Sequence, residues 1–173
     1  MIGEGAGMLV KRALTATGGS DQWRACTDRF LAIYDAQSTA LTQPFPGVHG
    51  MLAALSGAHR LALCTNKPER PTRQILAHLG WTAHFAVVVG GDTLPQRKPE
   101  PHMVQHILDA LSVTPGEAVL VGDSPADAGA AQAAGVDFVA VDWGYSRVPV
   151  ETLPAVQVVS SVTALRALLT APQ

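Results

Sequence analysis

This sequence predicts an α/β fold, a Rossmann-like parallel sheet with helices on both faces, joined to a small helical remnant. Three observations predict it. From residue 48 onward, apolar runs alternate with helical stretches, the order that covers a parallel sheet with helices. The run Val119 to Gly122 ends in an acidic turn, Asp123-Ser124-Pro125-Ala126-Asp127, and an Ala-rich helical stretch follows. Strand, polar loop and helix in that order present ligand-binding groups at the carboxyl ends of such a sheet. Two further runs end in polar groups, one in Thr65-Asn66-Lys67-Pro68 and one in Gly90-Gly91-Asp92 ahead of Gln96-Arg97-Lys98-Pro99.

Taken in order, residues 3 to about 42 read as two helices. Leu9, Val10 and Leu14, then Phe30, Leu31, Ile33 and Tyr34, recur at roughly helical spacing, and Gly18-Gly19-Ser20 interrupts them. Gln43-Pro44-Phe45-Pro46-Gly47 is a Pro-rich hinge, so residues 1–43 form the helical piece and residues 44–173 the sheet-bearing core. Helix 48–57 leads to strand 61–65, helix 69–79 to strand 86–91, and helix 101–112 to strand 118–122. Helix 125–134 leads to strand 137–141, and a short strand near 156–159 precedes a terminal helix at 162–169.

Composition narrows the function classes. A chain of 173 residues, 47% apolar and 15% charged, suits one globular domain with a small appendage. Its net charge of −2 and scattered Lys and Arg leave no basic face for nucleic acid. No apolar run approaches the ~20 residues of a membrane span, and the start has no signal-peptide pattern. Cys26 and Cys64 stand alone without a Cys-x-x-Cys spacing, so a reducing cytoplasm is the expected setting.

The strand ends carry the chemistry. Asp123 and Asp127, with the Ser124 hydroxyl, make a hard-oxygen loop of the kind that suits Mg²⁺, although Asp and Ser are equally good helix N-caps. Thr65 and Asn66 offer a hydroxyl, an amide and backbone N–H groups to phosphate oxygens. Lysines are rare here, at 11, 67 and 98 against nine arginines, and two of the three sit in these loops. An ammonium is a compact point charge, which a planar guanidinium does not replace freely. His102 and His106 are four apart but lack the Glu and third ligand of a zinc site. The Gly3-Glu4-Gly5-Ala6-Gly7 cluster has no strand before it, so nucleotide-loop logic does not apply. Cys64 reads as a packed core thiol, and Trp143-Gly144-Tyr145 as a wall beside the acidic loop.

In order, Thr65-Asn66-Lys67-Pro68, Gly90-Gly91-Asp92, Lys98-Pro99-Glu100-Pro101 and Asp123…Asp127 resemble the motifs of the haloacid dehalogenase superfamily of phosphatases, most closely its phosphoglycolate phosphatase branch. The resemblance implies a helical cap at 1–43 and a Rossmann-like core at 44–173. It implies that Thr65 binds phosphate, Asn66 orients it, and Lys67 and Lys98 neutralise it. It further implies that Asp123 ligates Mg²⁺ while Asp127 supports the metal water or Lys98. Ser124, and Lys11 and Arg12 on the cap, are weaker candidates. The implied partner is a small phosphorylated metabolite, first of all 2-phosphoglycolate, bound by a monomer or homodimer.

One motif is missing. The family's nucleophile lies in Asp-x-Asp-x-Thr, yet no two of the nine aspartates here are two positions apart. The first residues resemble the middle of the family's cap, so the chain reads as an N-terminally truncated member. The expected consequences are a core lacking its first, central strand, between those ending at Thr65 and Asp123, and no turnover. Another capped phosphatase, a phosphosugar mutase of the same superfamily, or a non-catalytic phosphate-binding or interaction domain are the alternatives.

Overall fold

A computed structural model describes residues 6–19 and 22–171. Positions 3–5 of the first predicted helix, and with them Gly3, Glu4 and Gly5 of the glycine cluster, lie outside the described residues. So does Ser20 of the predicted break.

The helical piece is the pair α1 (Ala6–Ala16) and α2 (Trp23–Gln37), packed against each other. The core follows as α3 (Val48–Ser56), β1 (Leu61–Cys64), α4 (Glu69–His78), β2 (Phe85–Val89) and α5 (His102–Leu111). It continues as β3 (Val119–Gly122), α6 (Pro125–Ala134), β4 (Asp137–Val141), β5 (Gln157–Val159) and α7 (Val162–Thr170). Single turns of 3₁₀ helix precede β2, β3 and β5. The predicted order of elements holds throughout, with ends differing by a few residues at most. The largest change is at α2, expected to reach about residue 42 and ending at Gln37, where turns take over; among the strands it is β2, predicted to residue 91 and ending at Val89. There Gly91 turns back so that its N–H donates to the Lys67 carbonyl at 2.7 Å, and the Gly90 N–H donates to the Thr93 hydroxyl at 2.9 Å.

Every strand pairing is parallel. Ala62 stands opposite Val87, Leu120 opposite Phe138, and Ala140 opposite Val158. The sheet, however, is in two pieces, β1-β2 and β3-β4-β5. Among the described residues β1 and β3 each have a strand neighbour on one side only.

Two helical layers span the interruption. On one face α5 and α6 supply Val104, Leu108 and Ala130, and both Cys64 of β1 and Leu120 of β3 pack against this cluster. On the other, α3 and α7 bury Met51, Leu55 and Leu165 against Val139, Val141 and Val159, with Leu61 of β1 at the margin. The Ala-rich sequence of α6 is what lets it lie close: Ala128, Ala130 and Ala131 are at most 2% exposed. Ser124 starts this helix as its N-cap, in a capping box with Asp127 and with Pro125 in the first turn.

Val119 and Val121 of β3 are 41% and 38% exposed, and, two residues apart, they share one face of the strand. Exposed apolar side chains beside an unpaired strand edge invite self-association. We expect Val121→Lys to suppress aggregation, read by light scattering, while moving the unfolding free energy by no more than about 1 kcal/mol.

Candidate active site

The carboxyl ends of β1, β2 and β3 supply the polar residues that the sequence singled out, and hydrogen bonds join most of them. Lys98, carried by the segment after β2, is the hub. Its ammonium donates to the Cys64 carbonyl at 2.7 Å and to Asp127 Oδ1 at 2.5 Å. Both partners are well shielded, with the Lys98 and Asp127 side chains 9% and 10% exposed. Asn66 fixes the lysine's backbone from the other side. Its Nδ2 donates to the Lys98 carbonyl at 3.0 Å, and its Oδ1 accepts the Lys98 N–H at 3.1 Å. Thr65 leads into this bracket, its N–H on the Val89 carbonyl at 3.0 Å and its Oγ1 accepting the Lys67 N–H at 3.2 Å.

Asp127 has little capacity left. Oδ1 takes Lys98, while Oδ2 accepts from Ser124 Oγ at 2.6 Å and from the N–H groups of Ser124 and Asp123 at 3.1 and 3.3 Å. Burial pushes its carboxyl up, but the Lys98 ammonium and the Ser124 hydrogen bonds together outweigh burial and hold it below the usual carboxylate range. Asp127 is thus an ionised anchor for Lys98. Close packing confirms how little room surrounds it: a Cβ on Gly122 would come within 2.6 Å of the Asp127 side chain.

Asp123 differs. It is half-buried, and its Oδ2 accepts the Tyr145 N–H. Among the described residues no hydrogen bond engages its other oxygen, so this carboxylate retains capacity for a cation. Gly144 gives it space, because any Cβ there would collide with the Asp123 carboxylate. No group of three or more His, Cys, Asp and Glu side chains converges among the described residues. A metal ion would therefore take Asp123 as one hard-oxygen ligand and need others from water, substrate or another segment, which Mg²⁺ coordination accommodates.

The remaining candidates fall elsewhere. The Lys67 ammonium leaves the strand ends and donates to the Tyr34 hydroxyl on α2, lying 4.7 Å from that ring's centroid. Lys11 lies over the Trp23 ring at 5.8 Å, within the helical pair, and Arg12 is half-buried on the same helix. Trp143 packs with the α3/α7 core rather than walling the acidic loop; the Tyr145 backbone borders Asp123 instead. Burial raises the Cys64 thiol, with Asp127 adding to this and Lys98 opposing it, consistent with a packed, protonated thiol. Tyr34 was not picked out by sequence as a site residue, since nothing local in its helix marks it.

This ordered set of strand-end groups has a family. Residues 5–141 match the profile of the haloacid dehalogenase-like hydrolases. The chain belongs to that family. It is 44% identical over 181 residues to a phosphoglycolate phosphatase of Rhodospirillum rubrum, covering 100% of this chain and 75% of that one. A crystal structure from Haemophilus somnus, described as a predicted phosphoglycolate phosphatase, superposes with a TM-score of 0.83 at 28% identity, covering 91% of this chain and 74% of that one. Protein Tyrosine Kinase A of Mycobacterium tuberculosis gives 0.78 at 32% identity, over 96% and 78% of the two chains. The match to the haloacid dehalogenase-like hydrolases and the phosphoglycolate phosphatase relatives together make this a phosphatase by family.

The Lys98–Asp127 pair makes a prediction about stability. Asp127→Asn leaves a buried ammonium without its counter-charge, which should cost about 3 kcal/mol in urea unfolding at pH 7. The native Asp127 carboxyl titrates below its unfolded value. Its stabilisation is therefore complete above about pH 4 and fades as pH falls through the lower native value. The gap between wild type and variant should narrow on acidification, and a gap that widened would contradict the assignment.

Proposed function

We propose that the active enzyme hydrolyses a small phosphomonoester, 2-phosphoglycolate, in a Mg²⁺-dependent reaction, and that residues 1–173 alone do not turn it over. The observation that carries this reading is the bracket in which Asn66 and Asp127 hold Lys98 between the strand ends, beside the accessible carboxylate of Asp123. The names of the relatives support the choice of substrate.

Each residue's part follows from its surroundings. Thr65 Oγ1 already accepts a backbone N–H, so its own proton is available to donate to a phosphate oxygen. Lys98, positioned by Asp127 and Asn66, presents positive charge where the transferring phosphoryl group gathers negative charge. Asp123 would hold Mg²⁺, which when bound neutralises phosphoryl charge and orients the phosphate oxygens.

The nucleophile is the part this sequence does not supply, having no Asp-x-Asp pair. We place it on an additional strand between β1 and β3, where each piece of the sheet ends in an unpaired edge. Attack by its first aspartate on phosphorus would break the ester P–O bond and release glycolate, its alkoxide protonated by the second aspartate. Water would then cleave the aspartyl-phosphate to phosphate and restore the carboxylate. Residues that act as a unit lose nearly all activity when one is removed. The slot also accounts for the exposure of Val119 and Val121, which such a strand would cover.

The test is phosphate release from 2-phosphoglycolate with Mg²⁺ present. Residues 1–173 should show no release above background. Adding a synthetic peptide, an apolar strand of about five residues followed by Asp-x-Asp-x-Thr, should produce release that Lys98→Ala or Asp123→Asn removes. Turnover by the unsupplemented chain at an ordinary enzyme rate, about 1–10³ s⁻¹, would falsify the reading.

A further inference from the structure

The Lys67 ammonium stands apart from the charges around it. Lys98 is neutralised by Asp127, and Arg70 and Arg73 pair with Asp35 and Glu69 at 3.0 and 2.6 Å. Among the described residues no carboxylate pairs with Lys67. Its partner is the uncharged Tyr34, met through the hydroxyl, with the ring centroid 4.7 Å away. A positive charge held by a neutral partner in a half-buried place retains its capacity for an anion.

The arrangement is also built. Phe30, one helical turn before Tyr34, stacks on it with ring centroids 5.8 Å apart and planes 11° from parallel. Asp35 on Arg70, and Ser38 Oγ donating to Gln74 Oε1 at 2.9 Å, tie this end of α2 to α4. The Lys67 backbone is fixed at both ends, N–H on Thr65 Oγ1 and carbonyl under the Gly91 N–H. Because the Tyr34 oxygen accepts from Lys67, its own proton can be donated onward. The pair therefore offers two adjacent donors, one charged, which is a match for a carboxylate.

We propose that Tyr34 and Lys67 together bind the anionic group at the end of the substrate remote from phosphorus, so that the site selects phosphomonoesters bearing a carboxylate. This rests on the phosphatase reading of the strand ends and adds to it a determinant of specificity. Thr65 and Lys98 grip the phosphoryl end; Lys67, one residue beyond the bracket of Asn66, reaches toward the helical pair for the other end. Tyr34 thereby gives the helical pair a direct part in choosing the substrate.

Calorimetric titration of the full chain with Mg²⁺ tests this, using 2-phosphoglycolate and ethyl phosphate, which lacks the carboxylate. The readout is the ratio of the two affinities. Wild type should prefer 2-phosphoglycolate about tenfold or more, the effect of a charge-assisted contact. In Lys67→Met the ratio should collapse toward one, in Tyr34→Phe it should fall partway, and Lys67→Arg should restore part of it. A wild-type ratio near one, or variants that weaken both ligands equally and so preserve the ratio, would overturn the assignment while leaving the phosphate site standing. Failure of wild type to bind either ligand would bring down the reading of the strand ends, and this inference with it.

Discussion

The Lys98 ammonium, bonded to the Cys64 carbonyl at the end of β1 and to the Asp127 carboxylate on α6, ties one piece of the sheet to the helix that follows β3 in the other. No ladder of backbone hydrogen bonds joins those pieces among the described residues, so their relative position rests on this contact and on the helices packed over the interruption. A buried ion pair is not in itself a gain in stability, because desolvation offsets the attraction. What it does impose is geometry. Once both charges are out of water, neither can leave the other without a large penalty, and Asn66 removes the remaining freedom by hydrogen-bonding both sides of the Lys98 backbone. Guanidinium in place of the ammonium would bring a planar fork where a carbonyl and one carboxylate oxygen must be met by a single nitrogen.

That constraint has an electrostatic consequence for the reaction. Asp127 cancels the charge of Lys98, which leaves Asp123 as an anion at the strand ends and Lys67 as a cation set off toward α2. The group as a whole is close to neutral. A phosphomonoester dianion brought there would be uncompensated, and in a partly desolvated place such an imbalance is costly. A divalent cation at Asp123 would offset the two charges of the phosphoryl dianion, and this is why the proposed chemistry calls for a metal although one lysine already sits among the reacting groups. In the proposed mechanism Asp127 would act by holding Lys98 in place rather than by binding the metal.

Much of this was legible in the sequence, and the reasons for the rest are specific. The alternation of elements was readable because each strand is a short apolar run ended by polar or glycine residues. Thr65, Lys98, Asp123 and Asp127 stood out because strand ends are where such a sheet displays ligands. What spacing alone left open was which partner each would choose. The four-residue step from Asp123 to Asp127 left open whether Asp127 meets a metal water or Lys98, and in the structure it pairs with Lys98 while closing a capping box with Ser124. Trp143, adjacent in sequence to the acidic turn's neighbour Gly144, turns instead into the α3/α7 core. The end of β2 was misjudged because Gly90 and Gly91 extend a strand-like pattern that their backbone bonds to Thr93 and Lys67 then bend away. Tyr34 was beyond reach, since its role depends on how α2 docks on α4, a contact between residues more than thirty positions apart.

The manner of that docking bears on selectivity. The contacts recorded between α2 and α4 are polar, an ion pair with Arg70 largely exposed and a hydrogen bond from Ser38, and within α2 only Thr27 is buried among the described residues. Exposed ion pairs contribute little, typically below about 1 kcal/mol, and elements held by few buried apolar contacts open at low free-energy cost. The helical pair is accordingly held to α4 by polar ties alone among the bonds described, whereas Thr65, Asn66 and Lys98 are joined by part-buried bonds of their own. A site so divided keeps its chemistry rigid and its recognition adjustable. On the proposed assignment, substrate discrimination rests on the contact between the helical pair and the loop rather than on the groups at phosphorus.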